Sequence, residues 1–273
     1  MRSPVVSFAL VVLAVLTCGA CAGPGGGSSI LDKGTVVVGV RPDLPGLGLR
    51  RPDGTFEGFE VDVARDLAVR LGWKVRFVAA LAADREPLLL SGRADLMFGT
   101  FSVTPERKLK VAFAGPYHVS YQDILVRSGD RRINGVRDLK GRRICAVEGA
   151  NAAERVVRER GVPAVPVPAP HYDRCMAMLR TGEVEAITTN DVILAGLIAR
   201  ERGAGLRLVG AGFGEQRTGI GMRRGDVAGC EALNRAITQM YQDGTARRLL
   251  LRWFDGTGLE LGTIAVPQFE GCS

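Results

Sequence analysis

The chain predicts an α/β fold, parallel strands flanked by helices, and three observations carry that expectation. Short β-branched runs alternate with amphipathic stretches, two polar or glycine-bearing segments interrupt the alternation, and about 240 residues follow a Gly/Ser-rich leash, enough for one large or two ordinary domains. "TVVVGV" (35–40) reads as a buried strand. In "FEVDVARDLAVRL" (59–71), Phe59, Val63, Leu67 and Leu71 recur every fourth residue and share one helical face. "KVRFV" (74–78) is the next strand, a helix starts near Arg85, and "ADLMF" (94–98) is another strand. Further on come "RRICAV" (142–147) with a helix from Asn151, "AVPV" (164–167) with a helix from Tyr172, and "EAITT" (185–189) with a helix from Asn190. The proline-rich "VPAVPVPAP" (162–170) reads as a strand edge and turn. The interruptions "RSGDRRING" (127–135) and "GFGEQRTGIG" (212–221) are expected to be crossings between lobes. Residues 32–127 with 219–273 would then form lobe 1 and 128–218 lobe 2; a single larger α/β domain is the alternative.

The amino terminus has the layout of an export signal. Arg2 supplies the positive start, Val5 to Leu16 is apolar apart from Ser7, and Gly19-Ala20 are the small residues a signal peptidase takes, so 1–20 is expected to be cleaved. The apolar run is about half the roughly 20 residues that span a bilayer. Cys21 follows directly, as the lipidated cysteine of a bacterial lipoprotein does, and 21–31 is expected to be that cysteine with a flexible tether. Cys18 stands where such proteins usually carry an aliphatic residue, which keeps an unmodified Cys21 open.

Of six cysteines, four remain in the exported body: Cys145, Cys175, Cys230 and Cys272. An even number in an oxidising compartment implies two disulfides. Three connectivities are open; Cys145–Cys175 with Cys230–Cys272 is preferred because each pair lies within one expected lobe. No CxxC and only two histidines, His118 and His171, argue against zinc, and no metal or other cofactor is expected.

The formal charge of +7, or +6 without Arg2, is mostly arginine and dispersed along a chain with 6% aromatic residues. A nucleic-acid partner is therefore not expected; a mild attraction for anions is. GxSxG, HExxH and P-loop motifs are missing from the sequence, and no catalytic residue is assigned. "GAGFG" (210–214) reads as a turn and "RGD" (224–226) as a coincidence.

Two stretches point to anion binding. In "FGTFSVTPERK" (98–108), Thr104 suits an N-cap and Pro105 the first helical position. Arg107 then falls in the first turn, where the helix dipole is already positive, so an anion is expected opposite it, helped by the Ser102 hydroxyl and the Thr100 amide. An exposed Arg107 paired with Glu106 or Asp95 is the alternative. In "EGANAAER" (148–155), Asn151 and Glu154 form an expected capping box, leaving N–H groups around Ala150 to Ala152 as a second anion seat.

In order, "GVRPDLPGLG", "GFEVDVARDLA", "LLLSGRADLMFGTFSVTPERK", "FAGPYHVSYQDILV", "DLKGRRICAVEGANAAE" and "GEVEAITTNDVILAG" resemble the extracytoplasmic solute-binding proteins that deliver polar amino acids to ABC importers. Within them the chain is most similar to the actinobacterial glutamate-binding lipoproteins. The resemblance runs from about Gly34 to Gln268. It implies the type II periplasmic-binding-protein fold: two lobes, each a mostly parallel sheet flanked by helices, joined by a two-segment hinge and closing on one ligand. It implies Thr100, Ser102 and Arg107, with Ala150 and Asn151 from the second lobe, around the ligand's α-carboxylate. Arg41 and Arg85 match positions facing a side-chain carboxylate. The family's ammonium-binding aspartate aligns with Asn190, so the charge is expected from Asp191, Asp43 or Glu148. The family's "GFD" is "GFE" here, at Glu60, which reads as harmless.

The implied function is a monomeric, lipid-anchored receptor on the extracytoplasmic face of the membrane, with an acidic or polar amino acid as ligand and a membrane permease as partner. A sensor acting on a membrane signalling partner, and a dehydratase on the same scaffold with Glu148 as its acid, are the alternatives.

Overall fold

The computed structural model describes residues 29–201, 205–259 and 265–272. The expected leader, Cys21 and the tether as far as residue 28 lie outside the described residues. The fold begins where Asp226 accepts hydrogen bonds from the Ser29 hydroxyl and the Ile30 amide while capping a helix through the Gly229 amide, so "RGD" serves structure.

The first strands are β1 (Thr35–Val40), β2 (Asp43–Leu44), β3 (Gly48–Arg50) and β4 (Phe56–Glu57), the last three forming a small antiparallel sheet. Helix α1 (Phe59–Leu71) follows because its apolar stripe buries Phe59, Val63 and Leu67 in the core, and it stops at Gly72, whose left-handed conformation returns its N–H to Ala68 and Val69. Next come β5 (Lys74–Ala79), α2 (Arg85–Leu90), β6 (Leu96–Met97), α3 (Pro105–Lys108) and β7 (Ala112–Arg127). Then follow β8 (Arg143–Val147), α4 (Ala152–Glu154), β9 (Val165–Ala169), α5 (Tyr172–Thr181), β10 (Ala186–Asn190) and α6 (Asp191–Arg200). The chain ends with β11 (Leu206–Leu208), β12 (Phe213–Met222), α7 (Val227–Gln242) and α8 (Thr245–Phe254).

The strands form one curled mixed sheet in the order β5-β1-β6-β12-β7-β10-β8-β9, with β11 on the end of β7. One flank (β5, β1, β6) and the other (β10, β8, β9) are each parallel, and the antiparallel β12–β7 pair joins them. This is the expected two-lobed α/β architecture. β7 links the flanks through β12: Ala112 to Ala114 pair with the end of β12 that pairs with β6, and Gln122 to Leu125 pair with β10. It ends at Arg127, where 127–135 begins, and β12 covers nearly all of 212–221. β9, carrying Pro166 and Pro168, lies at the sheet edge, where a missing donor costs least.

Both preferred disulfides are present. Cys145 of β8 joins Cys175 of α5, and Cys230 of α7 joins Cys272, with Cα separations of 5.6 and 5.8 Å. The capping box at Asn151 does not form. Asn151 sits at φ −104°, ψ 0°, outside the extended region a cap needs, and its side chain makes no cap hydrogen bond. Glu154 pairs forward with Arg158 at 2.8 Å instead, and α4 continues as a π-helical turn over Arg155–Glu159. Among the described residues no helix is long and apolar enough to cross a membrane, and no metal-holding cluster occurs.

Candidate functional site

Three buried arginines meet where the flanks face each other: Arg41 after β1, Arg85 at the start of α2, and Arg107 in α3, respectively 1%, 2% and 8% exposed. α3 starts as expected, with Thr104 Oγ1 accepting the Arg107 N–H and Pro105 at the first position. Arg107 Nη1 donates to the Ser102 carbonyl at 2.8 Å, and Nη2 donates across to the Gly149 carbonyl at 3.0 Å. It forms no ion pair among the described residues; Asp95 is held by Lys33. Arg85 spends its donors on carbonyls: Ala82 from Nε at 2.9 Å, Gly99 and Thr100 from Nη1 at 3.0 Å each, and Gly149 from Nη2 at 2.8 Å. Both guanidinium groups lie over the Phe101 ring, 4.7 Å from its centroid for Arg85 and 5.0 Å for Arg107, a favourable cation–π geometry. Arg41 differs, because Asp43 takes it bidentately at 2.8 and 2.7 Å while Tyr172 of α5 offers its ring 5.7 Å away.

Burial is unfavourable for these charges. It pushes the Arg85 guanidinium well down from its usual range, with Arg107 and Arg41 adding like-charge repulsion, and it pushes Arg107 down as well. Because an arginine does not give up its proton in a protein, that penalty stands as a demand for a counter-charge. Acids offset part of it: Asp43 on Arg41, the buried Glu60, whose charge favours the ionised Arg85, and, nearer solvent, Glu86, Glu106 and Glu154 around Arg107. Glu86 stands at the rim and is paired with Lys110 at 2.8 Å. A cavity of about 280 Å³ opens among Ala82, Arg85, Pro87, Phe101, Arg107 and Gly149, beside the arginine pair. A larger depression of about 700 Å³ lies at the far end of β7, where Arg132 pairs with Asp130 and Arg180 with Glu201.

The loop supplying Thr100 and Ser102 is held tightly. Thr100 is a non-glycine residue at φ +50°, and the Gly99 and Thr100 amides both donate to Glu60 while the Thr100 hydroxyl donates to the Gly99 carbonyl at 2.8 Å, so the Thr100 amide expected opposite the anion is already spent. Ser102 is buried and bridges to Thr218 of β12. From the opposite flank, Ala150 and Asn151 approach half-buried, but the Ala150 N–H is spent on the Val147 carbonyl at 3.0 Å and is not a free anion donor. The neighbouring Gly149 packs so closely that a Cβ there would lie 2.5 Å from the Ala83 nitrogen.

Asn190 is buried at the end of β10, with Nδ2 donating to Ser120 Oγ at 3.1 Å. Asp191, the first residue of α6, accepts the Tyr121 amide of β7 at 3.2 Å and the Val192 amide at 2.6 Å, and burial raises its carboxyl to about 6. It is thus engaged with β7. Asp43 is engaged with Arg41, and Glu148 is exposed. Phe101, Tyr172, Gly149 and Glu60 join the site without having been expected. Only Glu60 left a trace in the sequence, as an acid just inside a helix start.

The description "bacterial extracellular solute-binding proteins, family 3" matches residues 36–256. The chain is 35% identical over 256 residues to the glutamate-binding protein GluB of Corynebacterium glutamicum, covering 89% of this chain and 86% of that protein. Among solved structures it is similar to an ancestral arginine-binding protein bound to arginine, with TM-score 0.76 and 29% identity, covering 81% of this chain and 99% of the other. It is also similar to the ancestral amino acid-binding protein AncCDT-1, a precursor of cyclohexadienyl dehydratase, with TM-score 0.73, 28% identity and coverages of 83% and 98%.

Proposed function

The chain belongs to the bacterial extracellular solute-binding proteins of family 3, and from that premise we propose that this amino-acid-binding protein of the ABC-importer type captures an acidic amino acid, glutamate or aspartate, and hands it to a membrane permease. Lobe 1 comprises 32–127 with 219–273 and lobe 2 comprises 128–218, with β7 and β12 as the hinge segments. Lipidated Cys21 holds the monomer at the extracytoplasmic face of the cell membrane.

The observation that carries this reading is the charge of the cleft. Arg41, Arg85 and Arg107 supply three buried positive charges; Glu60 is the buried acid beside them, Asp43 pairs with Arg41, and the acids that act on Arg107, namely Glu86, Glu106 and Glu154, stand further out toward solvent. Asn190 leaves neutral the position where the family carries an aspartate. Buried positive charge thus outweighs buried negative charge at the site, and an acidic amino acid brings net negative charge to it. Arg107 takes the α-carboxylate with the Ser102 hydroxyl, Thr100 shaping the loop beside it rather than lending its amide, while Arg41 and Arg85 face the side-chain carboxylate. The Gly149 carbonyl, which accepts from both Arg85 and Arg107, occupies donors that a carboxylate would satisfy better, since charge-assisted hydrogen bonds are roughly twice as strong as neutral ones. Ala150 and Asn151 close the cleft from lobe 2, and the Asn190 amide oxygen, with Asp43 and Asp191 nearby in the fold, receives the ammonium. A dehydratase would need a buried acid over its substrate, and the exposure of Glu148 disfavours it.

Calorimetric titration with glutamate, aspartate, glutamine, arginine and succinate tests the proposal. Glutamate or aspartate is expected to bind at micromolar concentration, about 8 kcal/mol, and arginine not at all. Preference for arginine, or no response to either acidic amino acid, overturns it. A Cys21→Ala chain recovered in the medium rather than with membranes would support the anchor.

A further inference from the structure

We infer that Glu60 is a positioning residue: its buried carboxylate ties the Gly99-Thr100 turn of the cleft to the hinge strand β7, so that the ligand's carboxylate seat and the hinge move as one hydrogen-bonded unit. The inference rests on the reading of Thr100, Ser102 and Arg107 as that seat.

Glu60 is the second residue of α1 and 1% exposed. Its Oε2 accepts the Gly99 amide at 3.0 Å, and its Oε1 accepts the Thr100 amide and the Tyr117 hydroxyl, each at 2.5 Å. Three donors converge on one carboxylate, an arrangement that suits the ionised form and leaves a protonated oxygen with poor choices of acceptor. Burial raises the carboxyl above the usual carboxylate range, and the Tyr117 hydroxyl, the two amides and Arg41 offset that only in part.

The same two peptide units are gripped from their other side, since the Gly99 and Thr100 carbonyls both accept from Arg85. A buried anion thus holds the two N–H groups and a buried cation the two C=O groups. That explains how β-branched Thr100 persists at φ +50°, a conformation that survives only where its surroundings over-determine it. Tyr117 adds the link to the hinge. It lies on β7, which pairs with β10 of one flank and with β12, the strand that pairs with β6 of the other, and its own carbonyl accepts the Tyr241 hydroxyl at 2.9 Å. A contact that also reaches β7 is more than support for a loop, because β7 is one of the two strands that must flex when the lobes close.

Glu60→Gln keeps the volume but sets an NH₂ group among three donors. Wild-type chain, Glu60→Gln, Glu60→Asp and Tyr117→Phe are compared by glutamate titration and by hydrogen exchange at Gly99 and Thr100. Glu60→Gln is expected to bind glutamate at least tenfold more weakly and to lose amide protection at both residues, and Glu60→Asp, which keeps an anionic acceptor, to recover part of each. Tyr117→Phe, decisive if Glu60→Gln does not fold, is expected to weaken glutamate binding at least threefold and to speed exchange at Thr100. Wild-type affinity and protection in Glu60→Gln, or in Tyr117→Phe where only that variant folds, overturns the inference. If the wild-type chain ignores glutamate, the reading of the seat fails, and the exchange data alone decide for or against Glu60.

Discussion

Replacing Gly196 by alanine should separate folding from closure, because the two respond with opposite sign. Gly196 lies inside α6 and is buried against Pro45, which sits between β2 and β3 on the opposite flank. A Cβ at 196 would overlap the Pro45 carbonyl oxygen, with the carbonyl carbon 3.1 Å away, so helix and loop could no longer meet as they do here. If lobe opening, as proposed, draws α6 away from Pro45, the open state feels only helix propensity, and alanine in a helix interior is worth about 1 kcal/mol more than glycine. The ligand-free protein should therefore melt about 2–4 °C higher. In the closed conformation the extra methyl has to be accommodated against backbone, which typically costs about 1–3 kcal/mol. Since the ligand binds the closed state, that cost appears as a loss of affinity of about 5- to 150-fold, at 1.4 kcal/mol per factor of ten. Scanning calorimetry without ligand and titration with glutamate give the two numbers on one variant. Unchanged affinity, or a lower ligand-free melting temperature, would refute the assignment of the Gly196–Pro45 contact to closure.

Other variants probe the charges. Arg107→Ala should cost about 2–5 kcal/mol of glutamate binding, as truncating one partner of a buried charge pair does, and calorimetry reads it directly. His118 of β7 is buried against Phe59, its Nε2 has no hydrogen-bond partner, and burial lowers its pKa to about 4. The folded state then binds fewer protons than the unfolded chain between pH 4 and 6.5, so stability falls as pH drops through that window, by roughly 3 kcal/mol in all; denaturant titrations of His118→Phe should lack that slope. Asp191 has the opposite sign. With its carboxyl raised to about 6, the native state holds the extra proton, and stability is lost as pH rises from 4 past 6. Asp191→Asn should therefore be more stable than wild type at pH 8, by roughly 1–2 kcal/mol after allowance for partial solvent access, in the same titrations.

What the sequence made legible was local. α1, α5 and α6 could be read because an apolar stripe, a first-turn boundary and, for α1 and α5, a closing glycine coincide within a dozen residues or so. Arg107 could be singled out because Thr104 and Pro105 announce the helix that carries it. The central strand β7 gave no such sign. Buried on both faces for most of its length, it has no alternation to detect, and Gly115-Pro116 interrupts it with residues that ordinarily mark turns. β6 shrank to Leu96–Met97 because only those residues find partners on β1 and β12. The contacts of Glu60 were not legible for a related reason: within its own helix it looks like an ordinary first-turn acid, and its three donors lie 39 to 57 residues away. Tyr172 and Phe101 likewise acquire meaning only when another segment brings a guanidinium over the ring.

The buried arginine pair also contains the reason the site should need a guest. Arg85 and Arg107 converge on one carbonyl, that of Gly149, and on one ring, that of Phe101, and their mutual repulsion adds to the cost of burying both. A peptide carbonyl carries only a partial charge, so the approach of Gly149 satisfies hydrogen-bond geometry without neutralising either cation. A carboxylate placed beside the pair would supply the missing full charge, and a low-dielectric interior rewards it far more than water does. A neutral amino acid brings its carboxylate but pairs it with its own ammonium, leaving the cleft's excess charge in place, and a cationic one enlarges it. Closure is thus expected to select for net negative charge in the guest as much as for shape, which is why aspartate, glutamate and succinate should all respond to salt and to loss of Arg107, whereas glutamine should not compete.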